Sequence, residues 1–96
     1  MLSTHHLPLR VPLGMVFMTP GAEALLAKSG VDPNELLARH ARGDWGDMDE
    51  FDKDANEKAL RTRNQVMSSY QLAAGKCYVV TAPRGTQTTI YLPSEH

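Results

Sequence analysis

The fold of this chain is centred on the segment Arg39-His40-Ala41-Arg42-Gly43-Asp44-Trp45-Gly46-Asp47. The segment holds the only tryptophan, and an imidazole, two guanidinium groups and two carboxylates lie within six positions of that ring. Its two glycines can adopt backbone conformations that other residues avoid, so the chain can turn sharply on either side of Trp45. We therefore expect the neighbouring elements to lead into this segment or to pack against the indole ring.

Two helices are predicted before this segment. The side chains of Thr19 and Asp32 can cap free helical amides, and each residue precedes a proline, which suits the first position of a helix. The first helix is predicted from Pro20 to about Ser29, and the second from Pro33 to about Arg42. A glycine follows each predicted end, as is common where helices stop.

A third helix is predicted from Met48 to about Leu60, with Asp47 as its cap. Its acidic residues crowd the first turns and its basic residues lie near the end, an arrangement that the helix dipole favours. The apolar residues recur at helical spacing and predict one buried stripe. This stripe comprises Met48, Phe51, Ala55 and Ala59.

After Asn64 the apolar pattern changes to a period of two, which is typical of strands. Three strands are predicted near 66–71, 77–81 and 88–92, and the short turns between them favour an antiparallel meander. An earlier strand is predicted from Gly14 to Met18. Because Pro12 cannot donate a ladder hydrogen bond, this strand should begin at an edge or outside the sheet.

These elements predict a small single α+β domain. Its antiparallel sheet would consist of the N-terminal strand and the C-terminal three-stranded meander, with three short helices mostly on one face. The domain is assigned to residues 9–96, and residues 1–8 are expected to form a flexible leader.

The composition narrows the class of protein. The 96 residues are 42% hydrophobic and 22% charged, with a formal net charge of −1, which is ordinary for a globular domain and does not favour general nucleic-acid binding. Cys77 is the only cysteine, so an internal disulfide and a CxxC motif are both excluded. Since no apolar run reaches membrane-spanning length, we expect a cytoplasmic protein without a membrane partner.

The central segment allows two interpretations that involve no catalysis. In the structural one, Trp45 fills the gap between helices and sheet, and His40 is a buried packing residue on the apolar face of the second helix. In the functional one, the residues Arg39, Arg42, Asp44 and Trp45 form a binding surface, because arginine and tryptophan often dominate the energetics of interfaces.

A third interpretation is catalytic. His40, Asp44 and Asp47, with Asp52 as a further member, could form the centre of a small metal-assisted hydrolase or nuclease. A calcium loop is not predicted: the loop that would begin at Asp52 has Glu57 where glycine is needed and Arg63 where a closing glutamate is needed. No cofactor or metal motif is otherwise present, and we predict none.

Two surfaces away from the central segment also remain open. The free face or edge of the sheet could bind a partner or a second copy of the chain by accepting an added strand. The predicted hairpin tip Arg84-Gly85-Thr86 could contact phosphate or a partner, although turn formation alone accounts for these residues.

The stretch from Leu36 to Asn56 resembles a family of small bacterial proteins carried on plasmids and integrated mobile elements. The most specific part is Arg-His-x-x-Gly-Asp-Trp-Gly, and further matches lie at Thr19-Pro20-Gly21-Ala22, Tyr70, Thr81 and Leu92-Pro93. Family members are often labelled plasmid-related protein or type I restriction endonuclease subunit M. The second label implies a methyltransferase domain with a glycine-rich cofactor loop, and this chain has neither the length nor the loop.

The resemblance implies a mobile-element setting and supplies no catalytic residues. We therefore predict a non-enzymatic, macromolecule-binding or regulatory protein that acts on a host defence or replication component, with a protein as its partner. In the final hairpin this chain departs from the family, since Tyr78 and Pro83-Arg84-Gly85 stand where members commonly carry a tryptophan and acidic residues.

Overall fold

The computed structural model describes residues 9–95, so the predicted leader at 1–8 lies outside the described residues. The elements in chain order are β1 (Met15–Met18), α1 (Pro20–Ser29), α2 (Pro33–Ala41), α3 (Glu50–Thr62), β2 (Val66–Leu72), β3 (Gly75–Thr81) and β4 (Gln87–Tyr91). Short 3-10 turns at Pro83–Gly85 and Pro93–Glu95 follow β3 and β4. The predicted α+β class is confirmed.

The four strands form one mixed sheet in the order β1-β4-β3-β2. The meander of β2, β3 and β4 is antiparallel, as predicted. β1 instead pairs with β4 in parallel, with Met15 opposite Gln87 and Met18 opposite Ile90, so the expectation of a purely antiparallel sheet is wrong for this pair. The apolar period of β1 carries no information about the direction of its partner strand, which lies about 70 residues further along the chain. Three helices and two strands separate β1 from β4 in the chain.

The first two helices begin where their capping residues predict. Thr19 Oγ1 accepts a hydrogen bond from the N–H of Ala22 at 3.1 Å, and Asp32 Oδ1 accepts one from the N–H of Asn34 at 2.9 Å. Both caps satisfy amides that would otherwise lack a partner within the helix.

The third helix differs from its prediction in both its start and its buried side. It begins at Glu50, and its cap is Asp49, whose Oδ1 accepts from the N–H of Asp52 at 2.8 Å. Phe51 of the predicted buried stripe is 81% exposed, whereas Asn56 is the buried residue of the helix. The predicted stripe is therefore wrong at Phe51 and Ala55, which are exposed, whereas Met48 and Ala59 are partly buried and pack against the cluster around Trp45. Asn56 is buried because α3 borders the sheet along β2, where its amide binds backbone groups.

The core lies between α1, α2 and one face of the sheet. Its main cluster consists of Ala22, Leu25, Leu26, Leu36, Leu37, Tyr70, Cys77, Val79 and Ile90. A smaller cluster of Val11, Trp45 and Val66 adjoins α3. Burial raises the pKa of the Cys77 thiol to about 11, so this side chain acts as a small apolar group, as predicted.

The outer edge of β2 is closed by hydrogen bonds from other parts of the chain. The Asn56 amide accepts from the N–H of Met67 at 3.1 Å and donates to its carbonyl at 2.8 Å. Two residues on, Ser69 N–H donates to the carbonyl of Trp45 at 3.0 Å, and the Ser69 carbonyl accepts from the N–H of Asp47 at 2.6 Å. This edge therefore offers no free ladder to another strand.

We expect Asn56→Ala to lower the free energy of unfolding by about 1–3 kcal/mol, since it leaves both polar groups of Met67 without their partner. Urea denaturation would measure the change. Asn64→Ala is the matched control: the Asn64 side chain is exposed and donates only to Thr62 Oγ1, so a change within about 0.5 kcal/mol is expected. Equal effects of the two substitutions would show that the Asn56 amide does not stabilise the edge.

Candidate functional site

The turn after α2 joins the central segment to the edge of the sheet. Gly46 has a φ of +74°, and a Cβ atom there would lie 2.1 Å from the carbonyl oxygen of Ser69. Only glycine allows this close approach, which carries the bridge between Gly46 and Ser69. Asp44 Oδ1 accepts from the N–H of Gly46 at 3.1 Å and stabilises the turn.

Trp45 lies in the interior and is 4% exposed. Its indole N–H donates to Glu57 Oε2 at 3.1 Å, and the same carboxylate oxygen accepts from Arg10 Nη1 at 3.1 Å. The ion pair with Arg10 lowers the pKa of Glu57, so the carboxylate that the indole binds stays charged. Trp45 belongs to the predicted binding set, yet almost none of its surface is accessible to a partner. Its buried position matches the structural interpretation, in which the ring fills the gap between helices and sheet.

The other members of the predicted binding set surround Tyr70. The Arg39 Nε–H donates to Asp44 Oδ2 at 2.7 Å, and the Arg39 guanidinium lies 4.5 Å from the centroid of the Tyr70 ring. The Tyr70 hydroxyl donates to the carbonyl of Asp44 at 2.6 Å. The bond from Arg39 holds the pKa of the Asp44 carboxyl below its usual value. Arg39 and Asp44 thus form a partly exposed pair that fixes the turn, and Arg42 ends α2 beside it.

His40 is fully buried and lies at the centre of a chain of hydroxyl groups. Its Nδ1 is 2.6 Å from Ser68 Oγ, and its Nε2 is 2.9 Å from Thr81 Oγ1. Thr81 Oγ1 is 2.7 Å from Thr88 Oγ1, and the Thr88 hydroxyl donates to the carbonyl of Leu13 at 2.8 Å.

The last hydrogen bond of this series, from Thr88 to the carbonyl of Leu13, determines which group donates in each of the others. Because Thr88 uses its proton on a carbonyl, Thr81 must donate to Thr88 and accept from His40 Nε2–H. The neutral imidazole then has an unprotonated Nδ1, which accepts from the Ser68 hydroxyl. Burial lowers the pKa of His40 to about 4, so the ring is neutral at physiological pH.

The predicted catalytic set does not converge. His40 spends both ring nitrogens on buried hydroxyls, Asp44 pairs with Arg39, and Asp47 Oδ2 accepts from the N–H of Gln71 at 2.6 Å. Asp47 is therefore not the helix cap that the sequence predicts. Within residues 9–95, no group of three or more His, Cys, Asp or Glu side chains is placed to hold a metal ion.

Comparison of the chain with protein-family models, with curated proteins and with solved structures finds no match. In the part of the chain that the structure describes, no helix is long and apolar enough to cross a membrane.

The face of the sheet opposite the core carries a row of uncharged side chains at its centre, and Lys76, Gln71 and Gln87 lie towards the strand ends of the same face. Phe17, Thr89, Val80 and Met67 form one row across all four strands, since each is the register partner of the next. Met15, Tyr78 and Tyr91 extend this row on the same face. We call these seven residues the open sheet face. None of them carries a charge, and none is buried.

The open sheet face includes two features that suit a binding surface. A shallow depression of about 510 Å³ lies over Val80, Thr89 and Tyr91, and its rim includes the polar residues Thr19, Gln65, Gln87 and Glu95. The rings of Tyr78 and Tyr91 meet edge to face beside it, 5.9 Å apart. Aromatic side chains at a partly exposed site supply large contact areas.

The open sheet face runs on to the free edge of the sheet at β1. Among residues 9–95, five large hydrophobic side chains are exposed, and three of them, Met15, Val16 and Phe17, are consecutive in β1. β1 is the edge strand opposite the closed edge, and no described strand pairs with its outer side.

The pattern of the strands contained a signal for this surface. Strands with one solvated face normally alternate apolar and polar residues, whereas β1 and the end of β3 are apolar on both faces. An outward apolar set on an edge strand indicates a surface that something else covers. The sequence could not show which of the two alternating sets faces the helices.

The His40 chain makes stability depend on pH in a defined window. The unfolded imidazole binds its proton near pH 6.5 and the folded one only near pH 4, so the unfolded state carries an extra proton between these values. The stabilisation that comes from neutral His40 is complete above pH 6.5 and is lost as the pH falls. At pH 4 this loss lowers the free energy of unfolding by about 3 kcal/mol.

Urea denaturation between pH 4 and pH 7 would test this dependence, with His40→Gln as the comparison. We expect the variant to be less stable than the wild type at pH 7 and its stability to change less across this window. The other three histidines lie outside the described residues and are the same in both proteins, so their effects cancel. Parallel pH profiles would contradict the assignment of a neutral, buried His40.

Proposed function

We propose that this chain is a small, non-enzymatic binding protein that contacts another protein through the open sheet face and the edge of β1. The observation that carries the proposal is the one-sided architecture: the helices and the core occupy one face, and the other presents seven uncharged, unburied residues that continue into an exposed apolar edge. Contiguous apolar patches on soluble proteins mark sites of interaction.

The scarcity of cationic groups on this surface favours a protein over nucleic acid as partner, since Lys76 is the only cation among the strand residues of this face. Binding to phosphate groups needs cationic side chains, and the chain has a net charge of −1. From Val11 to Ala22, around β1, no residue carries a charge. A partner that matches this surface would place apolar side chains against Phe17 and the other residues of the open sheet face.

The edge of β1 indicates how such a partner binds. Natural edge strands are commonly protected by lysine, proline or a covering loop, and Met15–Met18 contains no charged or proline residue. A partner segment in extended conformation can add as a fifth strand, with main-chain hydrogen bonds to β1 and with alternate side chains on the open sheet face. The closed edge at β2 directs this addition to one side only.

The mobile-element resemblance supplies the setting for this proposal. Small proteins of such elements meet host proteins, and a host defence or replication component is the partner that we propose. The geometry of His40, Asp44 and Asp47 favours no second, catalytic function, because each of these side chains already has a structural partner.

We expect Phe17→Thr to abolish capture of the partner while leaving the fold intact, because threonine keeps the strand propensity of the position and removes its apolar surface. The measurement is quantitative affinity purification from a bacterial host lysate. Crosslinking of the captured partner to a probe at Val16 of β1 then tests whether the partner lies beside this strand. The retained amount of partner should fall at least about tenfold, the equivalent of 1.4 kcal/mol.

Phe51→Thr is the matched control, since Phe51 is the most exposed aromatic residue but lies on α3, away from the open sheet face. Equal losses from both substitutions would contradict the proposed surface. Trp45→Ala is unsuitable here, because the loss of a buried ring destabilises the fold itself. A dimer in sedimentation analysis that Phe17→Thr dissociates would show that a second copy, and not another protein, occupies the surface.

A further inference from the structure

A second cleft is lined by none of the seven residues of the open sheet face, although Ala82 lines both this cleft and the depression over Val80. The segment at Arg10–Pro12, the end of α3 and the turn between β3 and β4 enclose a space of about 330 Å³. Three arginines line it, Arg10, Arg63 and Arg84, and no acidic residue does. Apolar side chains, including Pro12 and Leu60, form part of its wall, and Asn64 and Thr81 also line it.

Two of these arginines have an uncommon backbone conformation. Arg63 has a φ of 58° and Arg84 a φ of 66°, and they are the two non-glycine residues of the described chain with positive φ. The N–H of Arg84 donates to the carbonyl of Arg63 at 2.9 Å, so the two turns hold each other. Glycine or asparagine fits such positions with less steric cost. Two strained arginines at one cleft therefore suggest a use for their side chains.

The charges of the cleft are only partly balanced. Arg10 forms an ion pair with Glu57, which also accepts the indole N–H of Trp45. Within residues 9–95, neither Arg63 nor Arg84 has a carboxylate within ion-pair distance. Two exposed guanidinium groups thus border a concave, partly apolar space with no anion to neutralise them.

We propose that this cleft binds a small phosphorylated molecule, with its phosphate held by Arg63 and Arg84 and its organic part against Pro12 and Leu60. Guanidinium groups match the geometry of phosphate oxygens and can bind two of them at once. A space of this volume is at the small end of ligand pockets. The site is separate from the surface proposed for the protein partner, so either proposal can fail alone.

The same phosphate chemistry could come from a nucleic-acid backbone, and the probes separate the two sources. Isothermal titration at constant ionic strength would use adenosine 5′-monophosphate, inorganic pyrophosphate, uncharged adenosine and a single-stranded DNA oligonucleotide. We expect saturable one-to-one binding of the monophosphate and of pyrophosphate. Adenosine should bind at least about tenfold more weakly than its monophosphate, since it lacks the group that the arginines hold.

The variant that tests the site is the double substitution Arg63→Gly/Arg84→Gly. Because both positions have left-handed backbone, glycine removes the guanidinium groups without steric cost, and the melting temperature should stay at or above that of the wild type. Binding of the monophosphate should fall at least about tenfold. Arg63→Asn/Arg84→Asn gives the same test with less gain in backbone flexibility, since asparagine also tolerates this conformation.

The matched control is Lys28→Ala/Arg61→Ala, which removes the same net charge from two exposed basic residues that do not line the cleft. Unchanged binding in this control and loss in the glycine variant would support the site. Equal loss in both would overturn it in favour of diffuse charge attraction. No saturable binding of either small phosphate would overturn it as well. Tighter binding of the oligonucleotide, lost in the glycine variant, would replace the small ligand by nucleic acid.

Discussion

The hydrogen-bond chain through His40 is the interaction on which the rest of the structure depends. It starts on β2 at Ser68, passes through the imidazole of α2, and continues through Thr81 and Thr88 to the carbonyl of Leu13, just before β1. One buried network therefore connects a helix to three strands and to the start of the fourth. Since a buried polar group without a partner is costly, each element must take the position that completes the chain.

This network also fixes which face of each strand is turned inward. Ser68, Thr81 and Thr88 share the inward face of their strands with apolar residues such as Val66, Val79 and Ile90. The imidazole of His40 supplies the hydrogen-bond partners that let these hydroxyl groups be buried there. Because strand side chains alternate, Phe17, Val80 and Met67 then lie on the open sheet face.

The two edges of the sheet have opposite characters for a related reason. The central segment and α3 are drawn to β2 by Trp45 and by the Asn56 amide, and they close that edge with backbone and side-chain hydrogen bonds. Among residues 9–95, no comparable element covers β1. In this part of the chain the sheet thus has one closed edge and one uncovered edge, so the strand addition that we propose can occur on one side only.

The local elements could be predicted from the amino-acid sequence. Capping residues and prolines set the starts of α1 and α2, and the change to a period of two marked the meander, since these signals act over a few residues. The parallel pairing of β1, the cap at Asp49, the burial of Asn56 in place of Phe51, and the separation of His40 from Asp44 and Asp47 follow instead from long-range contacts. Each of these depends on a group far away in the chain, such as the backbone of Met67 or the hydroxyl of Thr81. Contacts of that kind leave no periodic trace, because their energy comes from pairing specific polar groups in space and not from the spacing of apolar residues.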